Sequence, residues 1–137
     1  MGSTTFSGPI KAGTIKETTG TTAVVLHTNT TDLTTDIIIP AKSHIIAIDV
    51  NVEVAFNGGG NDNMDIGIVG NSDLYVDNAD VSAIGPVALG ATGLCANWKN
   101  VGTSDVRIAA KYIDASGNSN AGKARVTITY SQGNDHS

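Results

Sequence analysis

Asn57, Asn61, Asp62, Asn63 and Asp65 gather hard oxygen donors around the Gly58-Gly59-Gly60 bend, and hard oxygens are what a calcium ion takes. The spacing is not that of an EF-hand loop, because no glutamate follows at the twelfth position to bind in bidentate fashion. The same residue types also serve a tight chain reversal, where glycine and asparagine accept backbone angles that other residues resist. Asp49 and Glu53 offer a pair of carboxylates on one strand face. With Asn51 between them they stand on the order of 13 Å apart, beyond the roughly 5–9.5 Å that glycosidase carboxylates use. Hydrolysis would therefore need acids brought together by strand pairing, such as Asp49 with Asp65.

The remaining chemistry-bearing residues form no recognisable set. His27, His44 and His136 share no metal-ligand spacing. No Gly-x-Ser-x-Gly elbow presents a nucleophilic serine. Gly58-Gly59-Gly60 lacks the lysine and following helix of a phosphate loop. Cys95 is the only cysteine and lies among Leu94, Ala96 and Trp98, the setting of a small buried apolar residue, and no intrachain disulfide can form. Tyr75, Trp98, Tyr112 and Tyr130 are too scattered for a base-stacking platform. Trp98 beside Lys99 stays a candidate glycan-binding point, together with the loops at 57–63 and 114–122. Asn29-Thr30-Thr31 fits the glycosylation pattern, yet with no secretion signal it reads as a turn. The sequence thus assigns no catalytic residue, no metal ligand and no cofactor, and the expectation is a protein that is not an enzyme.

The elements that must position these residues are strands. From Ile45 to Phe56 the chain alternates, with Ile46, Ile48, Val50, Val52, Val54 and Phe56 on one side and Ala47, Asp49, Asn51, Glu53 and Ala55 on the other. Side chains of a strand point to opposite faces with a period of two, so this is one long half-buried strand with its aliphatic row inward. Residues 23–27 and 33–39 read as two earlier strands around a Thr/Asn/Asp turn, the second ended by Pro40. The glycine-rich tract then reverses the chain, and Met64, Ile66 and Ile68 return as a hairpin. Alternation fades over 71–83, where Ser72 and Asp73 suit the cap of a short helix or an irregular excursion. Residues 87–89 and 94–98 read as short strands between glycine and proline breaks. Val106, Ile108, Ala110 and Tyr112, then Ala124, Val126, Ile128 and Tyr130, predict a second hairpin about the 114–122 loop. The sum is an all-β chain, an antiparallel β-sandwich with the jelly roll as one topology and a barrel as the alternative.

At 137 residues the chain suits one domain. Its division is an extended N-terminal arm over 1–22, the sandwich over 23–131 and a polar tail over 132–137. The arm is Thr, Gly and Ser with Phe6, Pro9, Ile10 and Ile15 as apolar points, a composition that either stays mobile or gains order by lying on another subunit, for which these four residues supply anchors. Charged residues make up 15% of the chain, below the roughly 25% usual in soluble domains. A surface of small uncharged polar groups is cheaper to desolvate than one of lysine and glutamate, which favours packed assembly. A formal net charge of −5 with no Lys/Arg cluster opposes nucleic-acid binding. No apolar run reaches membrane-spanning length and the N-terminus has no signal-peptide pattern, so the expectation is a product made in a cytoplasm, without a membrane partner.

Thr4-Thr5-Phe6-Ser7-Gly8-Pro9-Ile10-Lys11-Ala12-Gly13 resembles the start of structural proteins of tailed bacteriophages, especially short-tailed phages of marine bacteria. Ile39-Pro40-Ala41-Lys42-Ser43-His44-Ile45-Ile46, the long strand after it, and Asp65-Ile66-Gly67-Ile68-Val69-Gly70-Asn71-Ser72-Asp73-Leu74-Tyr75-Val76-Asp77 are similar to small phage virion β-proteins, as is Val126-Thr127-Ile128-Thr129-Tyr130 near the end. The resemblance implies a capsid decoration (cement) protein, or a related head or fibre component, located on the virion surface. It further implies a homotrimer that contacts the major capsid protein or other virion proteins, with Phe6, Pro9, Ile10 and Ile15 as shell or subunit contacts. A fibre tip or receptor-binding and glycan-binding module is the alternative.

Overall fold

The computed structural model describes residues 15–59, 62–89, 93, 95–114 and 116–133. These residues form β1 (Ile15–Leu26), β2 (Leu33–Ile39), β3 (Ser43–Val54), β4 (Asp62–Ile68), β5 (Asn71–Asp80), β6 (Gly85–Pro86), the helical turn α1 (Cys95–Trp98), β7 (Val106–Asp114) and β8 (Lys123–Gly133). Two four-stranded sheets, β1-β8-β3-β6 and β2-β7-β4-β5, pair antiparallel throughout and make an all-β sandwich. The first strand pairs with the eighth, the second with the seventh, the third with the sixth and the fourth with the fifth. This is the pattern of one long antiparallel ribbon, its tip at Val69 and Gly70, wound so that successive strand pairs alternate between the sheets.

Winding overturns both hairpins expected from the alternation. β3 and β4 lie in different sheets, and so do β7 and β8. Each strand does bury one face, as its period requires, but a period carries no information about which sheet the strand joins. The tracts after β3 and β7 are connections that cross the sandwich, whose sheets pack about 10 Å apart. The one tight hairpin among the described residues is β4–β5, whose two-residue turn is made possible by Gly70 at φ 86°.

β5 stands where a helix or irregular excursion was expected. Its alternation is hidden by two irregularities. Met64 pairs with Ala79 and Ile66 with Val76, so Asp77 and Asn78 together oppose Asp65. Asn78 takes φ 60°, and its N–H donates to Asp65 Oδ1 at 2.8 Å. Further along, Ile66 pairs with Val76 and Ile68 with Asn71, so the chain from Ser72 to Tyr75 arches over Gly67 alone. A Cβ on Gly67 would meet Asn71 O at 2.3 Å and Leu74 N at 2.7 Å, so only glycine allows that crossing.

β3 likewise departs from its expected phase. Ile45 pairs with Tyr130 and Ala47 with Thr129, leaving Ile46 as a bulge, and a second shift falls between Val52 and Val54. Ile48, Val50, Val52 and Phe56 face the core as expected, whereas Ile46 and Val54 turn outward at 46% and 43% exposure and Ile45 is buried instead. Between the sheets, Ile37, Ile39, Ile66, Ile108 and Ile128 are fully buried with Phe56 and Tyr112, whose rings meet at 4.6 Å and 50°.

The short strands expected at 87–89 and 94–98 are not formed. The paired residues are Gly85 and Pro86, and Cys95–Trp98 is a single helical turn. Asn97 Nδ2 donates to Leu74 O at 2.8 Å and Trp98 Nε1 donates to Tyr75 O at 3.0 Å. Adjacent residues reach the same strand edge here, which a β conformation would forbid because it sends neighbours to opposite faces. Strand β1 also starts earlier than residue 23, so residues 15–22 of the expected arm pair with β8, and β8 runs to Gly133 through part of the expected tail.

Candidate contact surface

A sandwich presents its surface as two sheet faces, four strand edges and the loops at either end, and in this chain these are finished very differently. One loop end is a locked corner. Asp62 Oδ1 accepts the Gly58 N–H at 2.9 Å and the Tyr112 hydroxyl at 2.5 Å. Asp114 accepts from Ser116 Oγ, from Gly117 N at 3.0 Å and from Ser119 N at 2.9 Å. Asn57 Oδ1 accepts the N–H groups of Asn120 and Ala121 at 2.9 and 3.0 Å, while its Nδ2 donates to Asn120 Oδ1 at 2.7 Å. The single Ser116 O–H is shared between Asp114 Oδ1 and Gly58 O. The two loops considered for calcium or glycan binding are thus clasped to each other.

The electrostatics of the corner follow from these bonds. Tyr112 is fully buried, and burial, reinforced by its bond to Asp62, pushes its hydroxyl up to about 12. The Asp114 carboxyl is held below the ordinary range by the Ser119 N–H first of all. A Cβ on Gly58 would lie 2.4 Å from Asp114 Oδ1 and 2.5 Å from Asp62 Oδ1, so these carboxylates close directly around the backbone. Their oxygens already point at N–H and O–H donors, which matches the chain-reversal use of the Asn/Asp residues; Asn61 lies outside the described residues. No group of three His, Cys, Asp or Glu side chains among the described residues is placed to hold a metal ion. No helix among them is long and apolar enough to cross a membrane.

Asp49 and Asp65, the acids that strand pairing was to bring together, lie in opposite sheets: Asp49 pairs with Thr127 and Asp65 with Lys111. Burial raises the Asp65 carboxyl against the pull of the Asn78 N–H. Glu53 instead joins Arg125 at 2.9 Å and Lys123 at 3.4 Å on the outer face of β3 and β8, and the Arg125 bond chiefly lowers its carboxyl. Trp98 is 9% exposed with its N–H bonded inward, so it is a core residue and not an exposed binding point.

The four edges divide into two finished and two open. The free side of β3 is taken by β6, by the Val87 N–H donating to Val50 O at 2.8 Å and by the Val101 N–H donating to Ser43 O at 3.0 Å. The free side of β5 is covered by Gly93, which bridges Val76, and by α1. Described residues between Gly85 and Gly102 therefore cover both strand edges on that flank. On the other flank β1 and β2 run side by side in different sheets, and neither has a further strand beyond it among the described residues. A shallow cleft of about 210 Å³ lies between them, lined by Thr22, Ala23, Val24, Leu33 and Thr35 among others.

β2 guards its own edge. Thr34 pairs with Ala109 and Ile38 with Arg107, so two extra residues break the ladder. Thr35 Oγ1 fills the gap by donating to Ile108 O at 2.8 Å and accepting the Ile37 N–H at 3.1 Å. Asp36 is exposed beside this break and Pro40 follows the strand. β1 has no such device from Gly20 to Val25. Of the apolar points singled out in the sequence, Ile15 opens β1 opposite Gly133, while Phe6, Pro9 and Ile10 lie outside the described residues. The unguarded edge begins in Thr18-Thr19-Gly20-Thr21-Thr22, whose composition assigns it to the arm; the β-propensity of threonine is the signal that points to a strand.

Scans against protein-family models and curated proteins return no match. Among solved structures the chain is similar to one described as the cyanophage Pam1 capsid asymmetric unit. The likeness covers 94% of each chain with a TM-score of 0.58 at 16% identity. At that identity it is a likeness of fold.

Proposed function

We propose that this chain is a structural protein of a phage virion and, within that class, a capsid decoration protein that lies on the shell and binds the major capsid protein and neighbouring copies of itself. The observation that carries the reading is the agreement in fold, over 94% of both molecules, with a chain of a cyanophage capsid asymmetric unit. Three features support it. The strand order β1-β8-β3-β6 facing β2-β7-β4-β5 favours a jelly-roll topology, an architecture that recurs in viral capsid proteins. The surface is low in charge, and one flank carries strand edges with no cover among the described residues. The opening residues resemble those of phage structural proteins. On this reading the protein stands as a homotrimer and reaches the shell through Phe6, Pro9, Ile10 and Ile15.

Cosedimentation tests it. Capsids assembled without this protein are mixed with the full chain and with a chain lacking residues 1–14. The full chain is expected to pellet with the capsids at a fixed stoichiometry and to raise the temperature at which they release DNA, and the shortened chain to remain in the supernatant. Failure of the full chain to bind would end the decoration reading; equal binding by both would remove the arm as its anchor.

A further inference from the structure

We propose that the outer edge of β1 pairs, antiparallel and about a two-fold axis, with the β1 edge of a second copy of this chain. The backbone sets the kind of partner. The His27 N–H donates to Gly122 O, on the line of the β1–β8 ladder, whereas the Leu26 N–H turns away to Asn29 Oδ1. Backbone groups alternate sides along a strand, so those of Gly20, Thr22 and Val24 also face away from β8, and no strand lies beside them among the described residues. At Leu26 the edge is finished by Asn29; from Gly20 to Val24 it is a row of donors and acceptors that only another extended chain can satisfy in register.

Self-pairing is what the side chains fit. Residues 20–26 read Gly-Thr-Thr-Ala-Val-Val-Leu, with no charge and no proline. An antiparallel turn of this strand onto itself about Ala23 sets Gly20 opposite Leu26, Thr21 opposite Val25 and Thr22 opposite Val24. Residues that face outward meet outward ones and inward residues meet inward ones, and no like charges are opposed. The neighbouring edge of β2 would fail the same test, since its broken ladder and exposed Asp36 oppose a copy of themselves. Pairing would also cover Leu26, which is 42% exposed, and wall off the cleft between β1 and β2. The product is one continuous eight-stranded sheet across two subunits. An isologous contact of this kind is separate from the three-fold contact of a trimer. Alone it yields a dimer; combined with a trimer it yields a hexamer or, on a shell, a link between trimers. The inference concerns the chain alone and does not rest on the virion reading.

The test measures the copy number of the full chain by light scattering over a concentration series, with residue-resolved amide exchange. The expected result is an even number of copies, with the Thr22 and Val24 amides exchanging at least tenfold more slowly in the assembly than after dilution. Thr22→Pro removes one outward N–H and leaves the β8 ladder intact, so it is expected to weaken the association at least tenfold with the far-ultraviolet spectrum unchanged. Should that variant misfold, Thr22→Lys, which sets like charges near the axis, is expected to weaken association in the same direction. A chain that stays monomeric or purely trimeric at all concentrations would overturn the proposal. So would amide protection that survives dilution and disappears on removal of residues 1–14, because the edge would then belong to the chain's own N-terminal segment.

Discussion

Tyr112→Phe removes a single oxygen from the clasped corner and leaves the ring against Phe56. The lost hydroxyl is the one that donates to Asp62 Oδ1 at 2.5 Å from a fully buried side chain, so Asp62 Oδ1 keeps only the Gly58 N–H. A buried hydrogen bond to a charged group contributes about 2 kcal/mol, and at about 4 °C per kcal/mol for a domain of this size the melting temperature falls by about 8 °C. The pH dependence is the more discriminating half. Tyr112 titrates at about 12 in the folded chain, against about 10 in an unfolded one. Its value is raised on folding, so its contribution is present in full below pH 10 and is lost as the pH rises through 12, a change of at most roughly 3 kcal/mol. The phenylalanine variant has nothing to lose there. Urea unfolding followed by circular dichroism, at matched protein concentration and at pH 7, 9 and 11, reads both effects. The gap between the two proteins is expected to be widest at pH 7 and to narrow by pH 11. A gap that is absent at pH 7, or unchanged between pH 9 and pH 11, would refute the account of the corner.

Gly67→Ala drives a Cβ into the backbone of Asn71 and Leu74, and is expected to cost about 3 kcal/mol or more; Gly59→Ala meets nothing within 4 Å but sits at φ 83°, so about 1 kcal/mol is expected, and paired melts compare them. Trp98→Ala empties a buried site and frees the Tyr75 carbonyl, which is expected to lower stability by about 3–5 kcal/mol in urea titrations. Asp65→Asn keeps an acceptor for the Asn78 N–H while removing the charge that burial disfavours. Because the Asp65 carboxyl is raised on folding, the wild type is penalised as the pH climbs above its folded value, so the variant is expected to be the more stable at pH 7 and to lose that advantage near pH 3.

Periodicity exposed most of the strands and little of their partnership. β2 occupies 33–39 as read, and the alternating rows of β3, β4, β7 and β8 lie in strands. Their pairing was not legible, because alternation is local whereas the first strand finds the eighth across most of the chain. Where the period faded, side chains had replaced ladder bonds: Asp65 holds the Asn78 bulge, and Gly67 admits a strand that arches above it. The Ile45-Ile46 doublet hid a bulge that puts the start of β3, Ser43 to Ile45, one residue out of phase with the rest. Of the contact surface, the low charge and the want of edge protection were readable, but the edge itself was not, since its first half is threonine and glycine. Trp98 beside Lys99 suggested exposure, yet the helical turn that points its ring inward depends on two carbonyls of β5, over twenty residues earlier.

β8 lies between β1 and β3, and so joins two strands made long before it. On a ribosome the first sheet therefore has no centre until the last of its strands emerges, while β4 and β5 can close their hairpin at once. Both β1 and β3 must wait with neither side hydrogen-bonded to its eventual central neighbour, a state of high contact order that folds slowly and invites wrong pairings. Translation that stalls ahead of residue 123 would release a chain carrying an open slot the width of one strand, which a synthetic peptide of the β8 sequence supplied in trans should fill.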